Sequence, residues 1–201
     1  MRIAIQAVIS DVDGQEPRTK DIGVLEYDAE ALPASGLGLF IGEAHQLLRQ
    51  LQTVVLREQV AQFLECTSRC RQCGSRLGVK DTKTIVYRTV YGKGHLDSPR
   101  LYSACGRCGT HITPARSFSP LADVLPERTH PQWLWLQSRY AAVMSYRQAQ
   151  TFLRDAFPAG RSLPISSMKV NVRHTGQRLE AEIQPVARKF VRRPRGHGGQ
   201  P

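Results

Sequence analysis

The chain has 201 residues, 28 Lys/Arg against 17 Asp/Glu (a net charge of +11), and 41% apolar residues. That length makes one or two domains of about 100–200 residues each, and the composition is that of a mostly folded chain. No apolar run reaches the roughly 18 residues of a membrane span, and the short stretch Ile3–Ile9 leads straight into Asp11 and Asp13 without a small-residue cleavage site, so no membrane partner and a cytoplasmic location are expected.

The predicted elements run as follows. Residues 2–10 read as a β-strand, Asp11–Gly14 is a turn, and Ile22–Tyr27 is a returning strand. Ala34-Ser35-Gly36 breaks the chain. Ala44, Leu47, Leu48, Leu51, Val54, Val55, Val60, Phe63 and Leu64 then recur at three and four, which predicts an amphipathic helix over 42–65. Its stripe can pack on the hairpin or support self-association as a short coiled coil. In the cysteine-bearing segment, Thr84–Tyr91 and His95–Tyr102 read as paired strands around a Gly92-Lys93-Gly94 turn, with Pro99 marking an edge or bulge.

Residues 117–132 hold three prolines and no periodicity, the pattern of a linker or extended strap. Pro131 opens a helix with Trp133, Leu136, Tyr140, Val143 and Met144 on one face. Ser145–Gln148 is a capping box for a second helix carrying Ala149, Phe152, Leu153 and Ala156. After a loop at 158–164, Ser166 or Ser167 caps a third, with Ile165, Met168, Val172 and Leu179 on one face. The end of the chain, rich in Lys/Arg and then in Gly and Pro, reads as disordered.

Five cysteines occur, at 66, 70, 73, 105 and 108. Without an export signal, disulfides are not expected. Cys70-Arg71-Gln72-Cys73-Gly74 and Cys105-Gly106-Arg107-Cys108-Gly109 share their spacing, and each pair offers two thiolates on one tight turn. The glycine after each second cysteine can take the positive φ that closes such a turn. Two turns joined by a hairpin complete a tetrahedral four-cysteine site, the arrangement of a zinc ribbon with structural Zn2+. An iron–sulfur cluster and a redox dithiol are the other readings. The dithiol is disfavoured because neither pair opens a helix in an α/β pattern. Cys66 is spare, and His95 and His111 read as surface residues rather than substitute ligands.

Charge is unevenly placed. Residues 1–65 hold five Lys/Arg against ten Asp/Glu, whereas 66–120 hold ten against two and 121–201 thirteen against five. The basic remainder, not the acidic head, suits a polyanion. On the ribbon, Arg71, Arg88, Lys93, Arg100 and Arg107 are candidate phosphate contacts. In the helical region the last two helices have a helix-turn-helix character, and the third helix would present Lys169, Asn171, Arg173, His174 and Arg178 to a DNA groove. The seven-residue loop before it and the presence of Val170 and Gly176 weaken that reading, and a helical bundle with a polar outer face is its rival. No Gly-rich phosphate loop, nucleophile motif or paired acidic metal site is seen, so no catalytic residue is assigned.

Several motifs together carry a resemblance. Asp97-Ser-Pro-Arg-Leu-Tyr102, Cys105-Gly-Arg-Cys108, Phe118-Ser-Pro-Leu-Ala122, Leu125-Pro-Glu-Arg-Thr129, Met144-Ser-Tyr146 and Gln177-Arg-Leu-Glu-Ala181 resemble the N-terminal half of ISKra-type bacterial insertion-sequence transposases, over about 1–183. The resemblance implies DNA transposition by an Asp-Asp-Glu domain of RNase H type following the helical region. The four paired cysteines carry over as a zinc set, and the helical region as the reader of the element's ends. After Ile183 the chain departs from the family, running through Val191-Arg-Arg-Pro-Arg-Gly196, and no catalytic carboxylate carries over, which suggests a frameshifted or truncated copy or a partial gene that is inactive alone.

The expected fold is α+β: an N-terminal hairpin plus helix (1–65), a zinc ribbon (66–116), a linker with a helix-turn-helix-like unit (117–185) and a disordered basic tail (186–201). The expected function is DNA binding at transposon ends, in the cytoplasm at the nucleoid. A stand-alone zinc-ribbon regulator, a zinc-stapled protein-interaction module using the 42–65 helix, and a thiol oxidoreductase are the competing functions.

Overall fold

The computed structural model describes residues 1–10, 16–27 and 37–190, with side chains as far as 182. Over these residues the chain is α+β, with two antiparallel sheets and five α-helices. It divides into two compact units, Met1–His130 with Phe157–Ala159, and Pro131–Ala156 with the chain from Gly160 onward.

In the first unit, β1 (Arg2–Ile9) and β2 (Arg18–Glu26) form an antiparallel hairpin. Ile5 pairs with Gly23 and Gln6 with Asp21, so Ile22 is an extra, bulged residue, and it is buried. The turn expected at 11–14 lies outside the described residues.

The helix α1 (Ile41–Thr67) starts one residue before its expected position, where the Phe40 N–H donates to Glu43 Oε2 at 2.9 Å. It packs on both β2 and β4. Its deepest residue is Leu56, which the expected stripe omitted, while Leu48, Leu51 and Val55 of that stripe stay exposed. Periodicity locates a stripe on a helix but not the partner that covers it. The cover is set by Gly94 of the sheet, where an added Cβ would lie 2.7 Å from Leu56 Cδ1.

Strands β3 (Val79–Thr89) and β4 (Gly92–Tyr102) are longer than expected. Their turn is Val90-Tyr91 rather than Gly92–Gly94, and Gly92, at φ +138°, is the residue that lets the chain reverse there. The irregularity expected from Pro99 falls on the partner strand, between Val79 and Asp81, next to Thr82, which pairs with Pro99.

The proline-rich stretch is not a linker. Strand β5 (Ser117–Phe118) pairs with Leu101 and Tyr102, and helix α2 (Pro120–Val124) follows it. Leu121 is buried with Leu56, Ile85, Tyr87 and Leu96, and Phe118 packs beside the cysteines. Further on, the Arg88 N–H donates to Arg128 O at 3.0 Å and the His130 N–H to Arg88 O at 2.7 Å. Residues 117–130 therefore complete the first unit, and the break falls after His130 instead of after 116. The break expected at 65/66 disappears for the same reason, since Leu56 of α1 belongs to the core of the β3–β4 sheet.

In the second unit, α3 (Pro131–Val143) begins at its proline as expected, and α4 (Tyr146–Ala156) follows after two residues. The capping box forms: the Ser145 N–H donates to Gln148 Oε1 at 3.1 Å and the Gln148 N–H to Ser145 Oγ at 3.4 Å. A 3-10 turn, Pro158–Ser162, occupies the expected loop, with Pro158 and Ala159 counted in the first unit and the rest in the second. The last helix, α5 (Ile165–Phe190), packs on both α3 and α4. Trp133, Leu136, Ala149, Leu153 and Met168 are buried, but Val143, Phe152 and Leu179 of the expected stripes are substantially exposed. Helix α5 starts at Ile165, so Ser166 and Ser167 lie within its first turn rather than capping it. It also continues past the expected start of a disordered tail at 186, where Ala187, Arg188 and Lys189 are strong helix formers. The rest of that tail, 191–201, lies outside the described residues.

No helix among the described residues is long and apolar enough to cross a membrane.

Candidate metal centre

The two Cys-x-x-Cys-Gly segments fold into near copies of one turn. In the first, the Gly74 N–H donates to Cys70 O at 2.9 Å and the Cys70 N–H to Ser75 O at 2.9 Å. In the second, the Gly109 N–H donates to Cys105 O at 2.9 Å and the Cys105 N–H to Thr110 O at 2.9 Å. Gly74 and Gly109 have φ of +70° and +72°, the left-handed conformation expected of both. The likeness extends outward, because Leu77 N–H reaches Ser68 O and Ile112 N–H reaches Ser103 O. Leu77 is buried with Leu101, and Ile112 packs against that cluster, so an apolar floor lies under the cysteines.

The β3–β4 hairpin carries the chain from one turn to the other. Cys70 Sγ is 3.6 Å from Cys108 Sγ, and Cys73 Sγ is 3.6 Å from Cys105 Sγ. All four sulfurs lie within 4.8 Å of one another. A tetrahedral ion with bonds near 2.3 Å requires sulfur–sulfur edges of about 3.8 Å, so the four thiols fit such an ion. Cys70 and Cys105 are buried, Cys73 is half-buried and Cys108 exposed. Cys66 is exposed and does not join the cluster.

Two hydroxyls that the cysteine spacing did not single out complete the site. Ser75 Oγ is 2.9 Å from Cys73 Sγ and 3.4 Å from Cys105 Sγ. Thr110 Oγ1 is 3.3 Å from Cys108 Sγ and donates to Gln72 Oε1 across the two turns at 2.5 Å. A signal for both exists in the sequence: a hydroxyl residue stands two positions after the second cysteine of each pair.

Ser75 favours thiolates at Cys105 and Cys73, whereas Thr110 accepts a hydrogen bond from the Cys108 thiol. The Ser75 hydrogen bond, aided by the backbone N–H groups of Cys108 and Arg107, lowers the Cys105 thiol from 9.0 to about 5. The same hydroxyl lowers Cys73. At Cys70 the N–H groups of Cys73 and Gln72 favour the thiolate, but burial and the neighbouring thiols outweigh them, and its pKa is raised.

Glu65, near the end of α1, ion-pairs with both Arg69 and Arg76. These two arginines are cross-strand partners flanking the first cysteine turn, so the carboxylate ties α1 to that turn.

The basic residues singled out in the sequence separate by environment. Arg71 and Arg107 are exposed on the two cysteine turns, and Arg88 and Lys93 are exposed directly opposite each other on β3 and β4. Arg100 is committed within the fold, 3.8 Å from Asp81 Oδ2 and donating to Ser117 Oγ at 3.1 Å. On α5, Lys169, Arg173, His174 and Arg178 are exposed, with the Lys169 ammonium 5.7 Å from the Tyr146 ring centre. Asn171 is not on that outer face. It is half-buried and donates from Nδ2 to Gln137 Oε1 of α3 at 2.9 Å.

Comparison with family models, with curated proteins and with solved structures finds no match to this chain. The fold and site define it as an α+β protein with a four-cysteine centre that could hold a metal ion.

Proposed function

We propose that this chain is a zinc-stapled DNA-binding protein, the end-recognising portion of an insertion-sequence transposase. Zinc is the ion that best suits four thiolates in a closed tetrahedral set, and a closed set serves structure rather than catalysis. Loss of one ligand tests this: Cys105→Ser should remove the bound zinc, measured by elemental analysis, and lower the melting temperature of the first unit. A full zinc equivalent with unchanged melting would overturn the assignment.

One observation carries the DNA reading. The last helix of a three-helix unit packs on both of the others and keeps Lys169, Arg173 and His174 exposed, the layout by which a recognition helix enters a groove. The motif resemblance adds the element ends as the site, and a nucleoid location follows from such a partner. The test is fluorescence anisotropy with the zinc-loaded protein and duplex DNA across a salt series. Log K should fall linearly with log salt, with a slope of about −0.9 per phosphate neutralised. Absent or salt-insensitive binding would overturn the reading.

A second reading, self-association through α1, is favoured by the exposure of Leu48, Leu51 and Val55 along one helix. Val8, Leu51 and Val55 line one groove between β1 and α1. It predicts a defined oligomer in sedimentation equilibrium that Leu51→Lys dissociates.

A further inference from the structure

Arg88 and Lys93 are directly opposite on the antiparallel β3–β4 pair. The backbone of Arg88 does not bond to Lys93. Its N–H goes to Arg128 O and its C=O accepts from His130, both on the other side of the strand. The pair is therefore of the non-hydrogen-bonded kind, in which opposing side chains stand closest, with Cβ atoms about 4.5–5.5 Å apart. Like charges in this position destabilise a hairpin. No ion pair to either residue is present among the described residues, and both side chains are exposed.

The same face offers more donors. His95, opposite Val86, is diagonal to Arg88 and exposed. Thr129 bridges Arg88 in parallel on the strand's other edge. Asp97, the acid of the β3–β4 strands on this face, stands two pairs further along opposite Thr84, which donates to its Oδ1 at 3.2 Å. Strand pairing on both sides holds the Arg88 backbone, so the two cationic side chains spring from adjacent, fixed positions on one face and can reach a common anion.

We propose that Arg88 and Lys93 together hold a single backbone phosphate of the bound nucleic acid. This rests on the DNA-binding reading and sharpens it. Two cations on separate phosphates would release two counterion equivalents, whereas two on one phosphate release one. The bound phosphate also relieves the repulsion that the free hairpin carries.

The test measures the salt slope of duplex DNA binding for the zinc-loaded full chain and for Arg88→Gln, Lys93→Gln and the double variant. Zinc content and melting temperature verify that each variant is folded. We expect the double variant to bind about five- to tenfold more weakly near 0.1 M salt and its slope to shrink by about 0.9. A slope reduced by about 1.8 would overturn the shared phosphate, and an unchanged slope with unchanged affinity would overturn the site. Should the wild-type chain bind no DNA, amide shifts of residues 86–95 under inorganic phosphate decide the matter. Shifts abolished in the double variant keep an anion site while the DNA reading fails, and no shifts overturn both.

Discussion

Gly160 lies against the carbonyl of Leu153, and the space between them is too small for a Cβ. Leu153 is fully buried on α4, and the chain at Gly160 passes close over the backbone of Leu153 and Arg154. The clash would be with backbone atoms, which cannot rotate aside. Gly160→Ala should therefore destabilise the helical unit by about 1–3 kcal/mol or more, as overpacking does. Hydrogen exchange should localise the loss to α3, α4 and α5, with metal content unchanged. Uniform destabilisation of the whole chain would contradict the two-unit division.

The Ser75 hydroxyl stands between two sulfurs, and its removal should weaken the metal without removing a ligand. Outer hydrogen bonds of this kind are worth about 10–100-fold in metal affinity. Ser75→Ala should fall in that range in a chelator competition, and Ser75→Thr should recover most of the affinity. In the metal-free chain, Ser75→Ala should also raise the Cys105 thiol from its value of about 5, seen as slower alkylation at pH 6. Equal affinity of Ser75→Ala and wild type would exclude the role.

The chemistry of the cysteine turns was legible because each is a local object. Cysteine spacing and the following glycine specify the turn, and only the joining of the two turns depends on the hairpin. The helices at 41–67 and 131–156 were legible for a related reason, since caps and periodicity are local signals. What failed was long-range. Nothing near Leu121 or Phe118 in sequence indicates that they insert into the core of a sheet, and prolines hide the short elements that carry them. Likewise nothing near Asn171 in sequence indicates that Gln137, 34 positions earlier, lies beside it.

Acid should loosen the link between α1 and the first cysteine turn. The hydrogen bond from Arg69 above all, with the charge of Arg76, holds the Glu65 carboxyl below its ordinary 4.5 despite some desolvation. A carboxyl lowered on folding contributes stability that is present above its unfolded value and lost as pH falls through the folded one. The melting temperature of wild type should thus exceed that of Glu65→Gln at pH 7, and the gap should close below pH 4.5. Comparing the two chains at each pH cancels the loss of metal that acid causes in both. A gap independent of pH would show that Glu65 acts without its charge.

The Asn171–Gln137 contact separates a structural role from a DNA-reading one. Gln137 is fully buried, and its Nε2 donates to Trp133 O at 3.1 Å, so its Oε1 depends on Asn171. Asn171→Ala would leave that acceptor buried and unpaired, at a cost of about 1–3 kcal/mol. Replacing both residues by leucine should recover part of the loss, because no polar group is then stranded. If Asn171 only orients α5, the leucine pair should keep the sequence preference of any DNA binding while Arg173→Ala weakens it. Normal stability of Asn171→Ala with a lost base preference would instead place Asn171 at the DNA.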